Sequence, residues 1–411
     1  MLIIYGALGL GGIETFFVRL AKDRFMSNKK TKILLLAPPE LEKNDPDLFN
    51  EMLKYADIYY FSDIFENSFI NWRFLFLHRL KNKNLEKMLH DCKQIHVTDS
   101  QSALLANNIL AKANKKIPIT VGMYHSLEFS WGEKKLPFFE RVNRNFIYKT
   151  LSSGNLMCFS QNTKDFVVKK TGYEIKNAKT FRLGVIDSNQ GYKKSFKLSK
   201  KIKMCAVGRL TDFKTYNFWM PNVIKELNIS GCDIHLDIYG DGGSVNTVKS
   251  AVDKVSDYVS LFPPFNYSNF NKIVSEYDLF IGSGTAIIQA ASLGVPCIIG
   301  IESIEEPVTY GFFSDFYQYE YNLKSLNFEK IKIFDIIDSF SEASSDFKEN
   351  LSLKHYQAAQ SFDISTCQNN MDDESYVVSD YFYFNKWIYT LSLILFRLKM
   401  KISRQTIYHE G

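Results

Sequence analysis

The sequence predicts an α/β protein made of two parallel-sheet domains that face each other across a crevice. Three observations carry this. The chain has 411 residues, and at about 150 residues per domain that length allows two to three domains with substantial cores. Short apolar runs alternate with helix-like segments in two successive blocks, and such alternation with short connections implies a parallel sheet covered on both faces. Between the blocks lies DSNQGYKKSFKLSKK at 187–201, polar, basic and poor in apolar periodicity.

In the first block the strand-like runs are 2–5, 32–37, 58–61, 94–98, 117–123 and 156–159, with helix-like segments at 13–22, 47–55 and 102–113. The opening MLIIYG reads as a buried strand rather than a signal peptide, because the run stops at Gly6 with no basic segment before it. The second block places strands at 203–207, 234–239, 258–262, 278–281 and 296–300, and helices at 216–227, 245–255, 267–277 and 286–293. The expected organisation is a first domain over 1–185, a linker over 186–201, a second domain over 202–345, and C-terminal helices over 346–411 with a loop at 361–375. No solenoid-type repeat is visible.

Composition narrows the function classes. With 45% hydrophobic, 15% aromatic and 23% charged residues, the chain is neither disordered nor collagen-like. Fifty Lys and Arg against 45 Asp and Glu leave a formal charge of +5. That mild excess suits phosphate-bearing ligands or an anionic membrane surface and is too small for wrapping nucleic acid. The six cysteines form no CxxC pair and sit mostly in apolar runs, which reads as buried free thiols in a reducing, cytoplasmic compartment. The longest apolar stretch, WIYTLSLILF at 387–396, is far short of the ~20 residues a spanning helix needs. Lys386 precedes it, and Arg397, Lys399, Lys401 and Arg404 follow. It reads either as a segment lying in the headgroup region or as a core helix with a solvated basic tail. The cationic, aromatic NWRFLFLHRLKNK at 71–83 allows the same membrane reading, or an ordinary helix with one apolar face.

In open parallel sheets ligands bind outside the carboxyl ends of the strands, so function is sought in the loops after strands. The first, GALGLGG at 6–12, leads into Ile13, Glu14 and Thr15. Gly11 and Gly12 let a ligand approach the backbone beside a helix N-terminus, although the dinucleotide spacing GxGxxG is not met. A tight strand-to-helix turn is the plain alternative. The second, VGRLTDFK at 207–214, ends a strand on Gly208 and Arg209 and reaches Lys214 where the next helix begins. Two cations there suit a diphosphate and the charge that develops as it departs; two solvated surface cations are the alternative. The third, around Gly240 and Asp241 in IYGDGG, is by itself a weak signal that a structural turn would also give. The fourth joins a strand to a helix through GSGT, setting backbone N–H groups and the hydroxyls of Ser283 and Thr285, after Gly284, at a helix start. One turn on, Gln289 is a lone polar side chain among Ala and Ile, and it needs a backbone or ligand partner. His125 follows a strand and is a further candidate, while His96 reads as buried in its own strand. No metal-ligand spacing, GxSxG elbow or Walker lysine loop is present.

Taken in order, these segments resemble a glycosyltransferase of the GT-B fold, most closely the retaining family 4 (group 1) enzymes of bacterial surface polysaccharide synthesis. The resemblance rests on GGIE, YHS, CFSQNTKDFV, FRLGVID, VGRLTDFKT, IYGDGG and GTAIIQAASLGVP, in matching order from residue 6 to about 300. It is firm in the second domain and looser in the first. It implies that Arg209 and Lys214 hold the donor diphosphate, that His125 contacts the donor sugar, and that Gly11 and Gly12 lie beside donor phosphate and acceptor. Gly208, Gly240, Asp241, Gly284, Thr285 and Gln289 would complete the donor site. The implied substrates are a nucleotide sugar, with UDP the commonest form in the family, and a glycan or lipid-linked acceptor at the inner surface of the cytoplasmic membrane. The implied mechanism is donor-assisted, with no metal and no cofactor. One departure stands out. The family's E-x(7)-E pair is reduced here to Gln289 at the second place, and the first glutamate is lost with the shortened GSGT segment. A Gln carbonyl can still accept from a ribose hydroxyl. That departure motivates a second reading, a non-catalytic GT-B subunit that binds nucleotide or glycan for a partner. A nucleotide-sugar 2-epimerase is a third, weaker one.

Overall fold

The structure is a computed structural model that describes residues 1–9, 11–41, 43–66, 70–124, 129, 136–187 and 201–402. His125, most of the 186–201 linker and Arg404 lie outside the described residues. The chain divides into two compact units, Met1–Arg182 with Gln368–Gly411, and Leu183–Cys367. The segment read as C-terminal helices over 346–411 is therefore divided between them.

Among the described residues of the first unit, seven strands form one sheet: β1 (Leu2–Tyr5), β2 (Thr31–Leu35), β3 (Ala56–Tyr60), β4 (Ile95–Val97), β5 (Ile119–Met123), β6 (Leu156–Cys158) and β7 (Lys179–Thr180). Their order is β3-β2-β1-β4-β5-β6-β7, and every neighbouring pair is parallel. Helices start where the sequence supplies caps. Asp99 accepts from Ser102 N at 2.9 Å to open Ser100–Ala113, and Ser160 accepts from Thr163 N to open Gln161–Thr171, which ends on Gly172 at φ +72°.

The second unit repeats the plan with β8 (Ile202–Val207), β9 (Ile234–Tyr239), β10 (Val259–Phe262), β11 (Leu279–Gly282) and β12 (Cys297–Ile299), in the order β10-β9-β8-β11-β12. All its pairs are parallel too. Alternate residues point to opposite faces, so Met204, Ala206, Leu279 and Ile281 enter one apolar core while Cys205, Phe280, Cys297 and Ile299 enter the other. Burial on both faces is why β11 and β12 read as continuous apolar runs. In each sheet the order reverses beside the first strand, between β1 and β4 and between β8 and β11. That reversal point is where parallel sheets offer a ligand crevice. The six cysteines are free.

Two local expectations are corrected. The stretch 361–375, read as a loop, contains the helix Ile364–Met371, whose Ile364, Cys367 and Met371 are buried on a three- and four-residue spacing that its polar neighbours obscure in the sequence. The stretch 71–83 is neither an amphipathic nor an ordinary helix. It is turns around the short 3₁₀ segment Leu75–Leu77, and the next helix starts at Asn82. Asn71 explains this: its side chain accepts from Arg73 N at 3.0 Å and its carbonyl meets His78 Nε2 at 3.2 Å, local bonds that compete with a helix.

Candidate functional site

In the second unit all five strands are parallel, so the loops that follow β8, β9, β11 and β12 emerge at one edge of one sheet. The loop after β8 carries Gly208, Arg209 and Lys214 and leads into the helix Tyr216–Ile229. Gly208 has φ +151°, a conformation that glycine tolerates. A Cβ on it would stand 3.1 Å from Lys214 Nζ, so the ammonium lies against the backbone at the strand end. Lys214 is half-buried and Arg209 exposed. Burial lowers the Lys214 pKa, Arg209 lowers it further, and Glu302 opposes both. Lys214 thus lies close enough to Arg209 to feel its charge. Nearby, Thr211 Oγ1 is shielded from solvent with no hydrogen-bond partner among the described residues.

The loop after β9 locks onto this one backbone to backbone. Leu210 N donates to Asp241 O at 2.9 Å, and Gly208 N to Tyr239 O at 3.0 Å. A Cβ on Gly240 would be 2.1 Å from the Gly208 carbonyl oxygen, a clash no small shift relieves. Gly240 is therefore required by packing. Asp241 is exposed, and its Oδ1 accepts from Gly242 N at 2.7 Å, so it shapes the turn.

After β11 the helix Gly284–Ser292 begins without a side-chain cap. Ser283, the residue placed to cap it, donates instead to Glu302 Oε1 at 2.7 Å and lies 3.4 Å from Tyr216 OH. The N-cap side chain thus does not compete with an anion for the first-turn N–H groups. Gly284 adopts φ +62° and its carbonyl accepts from Tyr321 OH at 2.9 Å; Thr285 follows, partly exposed. Gln289 Nε2 donates to Asn271 Oδ1 at 3.0 Å. The partner its position demands thus includes a protein side chain, with the amide's acceptor end at Oε1.

Glu302 is the residue that sequence reasoning missed. It follows β12, a strand end whose loop carries no recognisable motif. Its two oxygens accept from Ser283 and from Asn322 Nδ2 (3.0 Å). Ser303, at φ +55°, donates its N–H to Phe213 O at 2.7 Å, and Thr215 Oγ1 donates to Ile304 O at 2.5 Å. These bonds tie the β12 loop to the Lys214 loop, so one carboxylate stands near Lys214, the helix start and Tyr216 together.

The glycine loop of the first unit differs. Gly11 precedes the helix Gly12–Met26, again with no side-chain cap. A Cβ on Gly11 would stand 2.4 Å from Glu14 Oε2, and Glu14 Oε1 accepts from Tyr5 OH at 3.1 Å. A carboxylate over the helix start favours hydroxyl donors and repels phosphate. His96 is buried, held by Thr120 Oγ1 at 3.1 Å and Tyr124 OH at 2.9 Å, and burial brings its pKa down to about 3. It is a neutral structural group, as its strand position predicts. Tyr124 stacks on Phe159 at 4.5 Å just before His125, which lies outside the described residues. No group of three or more metal-ligating side chains occurs among the described residues.

Two doubly wound parallel sheets, each with its loops at the carboxyl ends, define the fold of the GT-B class. No protein-family model matches the sequence, and no curated protein matches it either. Solved structures do. Anabaena Alr3699/HepE in complex with UDP and glucose is similar over 90% of this chain and 96% of its own, at 14% identity and a TM-score of 0.59. A glycosyltransferase from Rickettsia africae is similar over 98% of each chain, at 13% identity and a TM-score of 0.59. WaaG, a glycosyltransferase involved in lipopolysaccharide biosynthesis, covers 90% of this chain and 97% of its own, at 12% identity and a TM-score of 0.56. At these identities the likeness is one of fold, and it agrees with the fold class expected from the sequence.

Proposed function

We propose that this chain is a glycosyltransferase of the retaining, metal-independent kind. It would move a sugar from a nucleotide-diphosphate donor, most simply a UDP-sugar, to a glycan or lipid-linked acceptor in surface polysaccharide (O-antigen or capsule) synthesis. Its place would be the cytoplasm, at the inner face of the membrane. The observation that carries this is the juxtaposition of Arg209, Lys214 and an uncapped helix start at the reversal point of the second sheet. That chemistry suits a phosphate-bearing anion such as a diphosphate.

In the reaction the bond between the anomeric carbon and the donor phosphate oxygen breaks as the acceptor hydroxyl attacks from the same face. The hydroxyl proton passes to the departing phosphate oxygen, and Arg209 and Lys214 stabilise the charge left on the diphosphate. Gly284 would admit the donor to the backbone, with Gly208, Gly240, Asp241 and Thr285 alongside, and Gln289 would accept from the ribose. His125 would face the donor sugar, and Gly11, Gly12 and Glu14 would receive acceptor hydroxyls.

Thermal shift over a panel of nucleotide sugars identifies the donor, because bound ligand raises the melting temperature by mass action. Transfer of radiolabel from that donor to membrane extract then tests the reaction. Arg209→Ala or Lys214→Ala should slow transfer by about 10²–10³-fold with an unchanged melting temperature, and full activity in either variant refutes the assignment. Gln289 in place of a glutamate, engaged with Asn271, favours the non-catalytic subunit as the second reading; tight nucleotide binding without transfer or hydrolysis would establish it.

A further inference from the structure

The helix Lys386–Ile402 is apolar on two faces, and among the described residues one of them is covered. Inward, Tyr389, Thr390 and Leu393 are buried. Tyr389 OH donates to Asn143 Oδ1 at 2.8 Å, and the Phe139 and Phe396 rings meet at 5.2 Å. Outward, Trp387, Ile388, Leu391, Leu395, Leu398 and Ile402 are exposed, from 49% at Ile388 to 82% at Ile402. From Ile388 onward their spacing of three, four, three and four residues makes one continuous stripe. Over 17 residues the helix is about 25 Å long. Isolated exposed apolar side chains are ordinary; a stripe of this length marks a surface that something covers.

Charge says what covers it. The helix contains no acidic residue. Lys386 stands at one end and Arg397, Lys399 and Lys401 at the other, so cations bracket the stripe. Arg397 is half-buried, and its pKa is lowered first by that burial and then by Arg73. Arg73 lies over the Trp72 ring at 5.5 Å, with Lys43 on the same ring at 5.4 Å. Lys386 is lowered by burial and by Lys112. Arg73, Arg397, Lys399 and Lys401 have no acidic partner among the described residues. The heptad-like spacing would also suit a second copy of the chain. Self-pairing in either direction, however, brings cations onto cations with no acid to offset them, where a coiled coil wants complementary charge. A bilayer with anionic headgroups satisfies both features, since the stripe enters the acyl boundary while the ends meet phosphates. No helix among the described residues is long and apolar enough to cross a membrane, so this one would lie flat.

We infer that the outward face of the Lys386–Ile402 helix is a docking surface for an anionic bilayer. The inference supplies the proposed function with the surface that presents a lipid-linked acceptor, and rests on that reading only for the identity of the acceptor.

The test is flotation of the full chain with phosphatidylglycerol-containing vesicles and with pure phosphatidylcholine vesicles, alongside Leu391→Asp/Leu395→Asp and Lys399→Glu/Lys401→Glu variants. These side chains are exposed, so the variants should keep the parent melting temperature and the same UDP-induced melting shift. The expected result is co-flotation with anionic vesicles only, reduced at least tenfold in both variants. Three outcomes overturn the inference: no flotation of the parent chain, equal binding to neutral vesicles, or a sedimentation dimer that the leucine variant dissociates. Absence of any nucleotide-induced melting shift in the parent chain would instead count against the glycosyltransferase reading and leave the surface standing or falling on flotation alone.

Discussion

The first five strands of each unit follow the same order, and both units place glycine-rich loops at the carboxyl ends of their strands, yet the loops are built differently. After β8 and β9 the backbones touch, glycine is enforced at position 240, and cations crowd a helix start that no side chain caps. After β1 the glycine loop stands beside the carboxylate of Glu14 and the hydroxyl of Tyr5. The first arrangement interlocks two backbones beside two cations, a setting that would suit an anionic group; the second sets a carboxylate acceptor where ligand hydroxyls would donate. The lesson is that a common fold carries two chemistries through the side chains set over otherwise equivalent helix starts.

The contrast can be broken at four points. The largest effect on folding is expected at Gly240→Val, where the new side chain meets the Gly208 carbonyl. Overpacking against backbone should cost about 1–3 kcal/mol, read as a drop in melting temperature together with loss of nucleotide binding; a valine tolerated on both counts means the loops are not interlocked. Next is Lys214→Ala, expected to slow transfer by about 10²–10³-fold, the usual loss when one preorganised charge stabiliser is removed. Gly12→Ala in the first unit should cost far less, and a similar loss in both would erase the contrast.

The third point is pH. Glu302 holds the Lys214 pKa up while burial and Arg209 pull it down. A diphosphate needs the ammonium charged, so Glu302→Gln should move the alkaline limb of nucleotide binding to lower pH. Arg209→Lys keeps the competing charge and should leave that limb in place. Titrations of nucleotide affinity against pH decide this, and an unmoved limb in Glu302→Gln would show that the carboxylate serves only Ser283 and Asn322. The smallest effect is at Gln289→Glu, which should preserve donor affinity or raise it a few-fold; a large loss would show that packing against Asn271 is what the side chain provides.

Stability against pH offers a check that treats the units alike. His96 in the first is lowered to about 3 by burial, and His355 in the second to about 4, also chiefly by burial. A histidine folded in its neutral form contributes stability that is full above its unfolded pKa near 6.5 and is lost as pH falls toward the folded value. Each should therefore cost about 1.4 kcal/mol per pH unit across that window. Melting temperatures between pH 7 and 4 should fall, and less steeply in a His355→Gln variant.

Much of this was legible in the residues. The central strands of both sheets stand out as apolar runs because both their faces are covered, and Arg209, Lys214 and the GSGT turn stand out because a strand end and a helix start bracket them. Glu302 was invisible for a physical reason. It reaches the site only because β12 pairs with β11, a relation that no local pattern encodes. Asn271 was hidden likewise, 18 residues from Gln289 on another helix. The helix Ile364–Met371 escaped because its few apolar positions are diluted by Ser, Thr, Gln and Asn, and 71–83 misled because Asn71 bonds locally. The buried pairing of Arg24 with Asp372 joins positions too far apart in the chain for any periodicity to reveal.

Calorimetric titration of UDP, GDP and ADP into the parent chain and into an Arg209→Ala/Lys214→Ala double variant reaches the core of this account. One nucleoside diphosphate should bind the parent chain and lose at least a hundredfold in affinity in the double variant, with the melting temperature of the unliganded protein unchanged. Equal binding to both chains would contradict it.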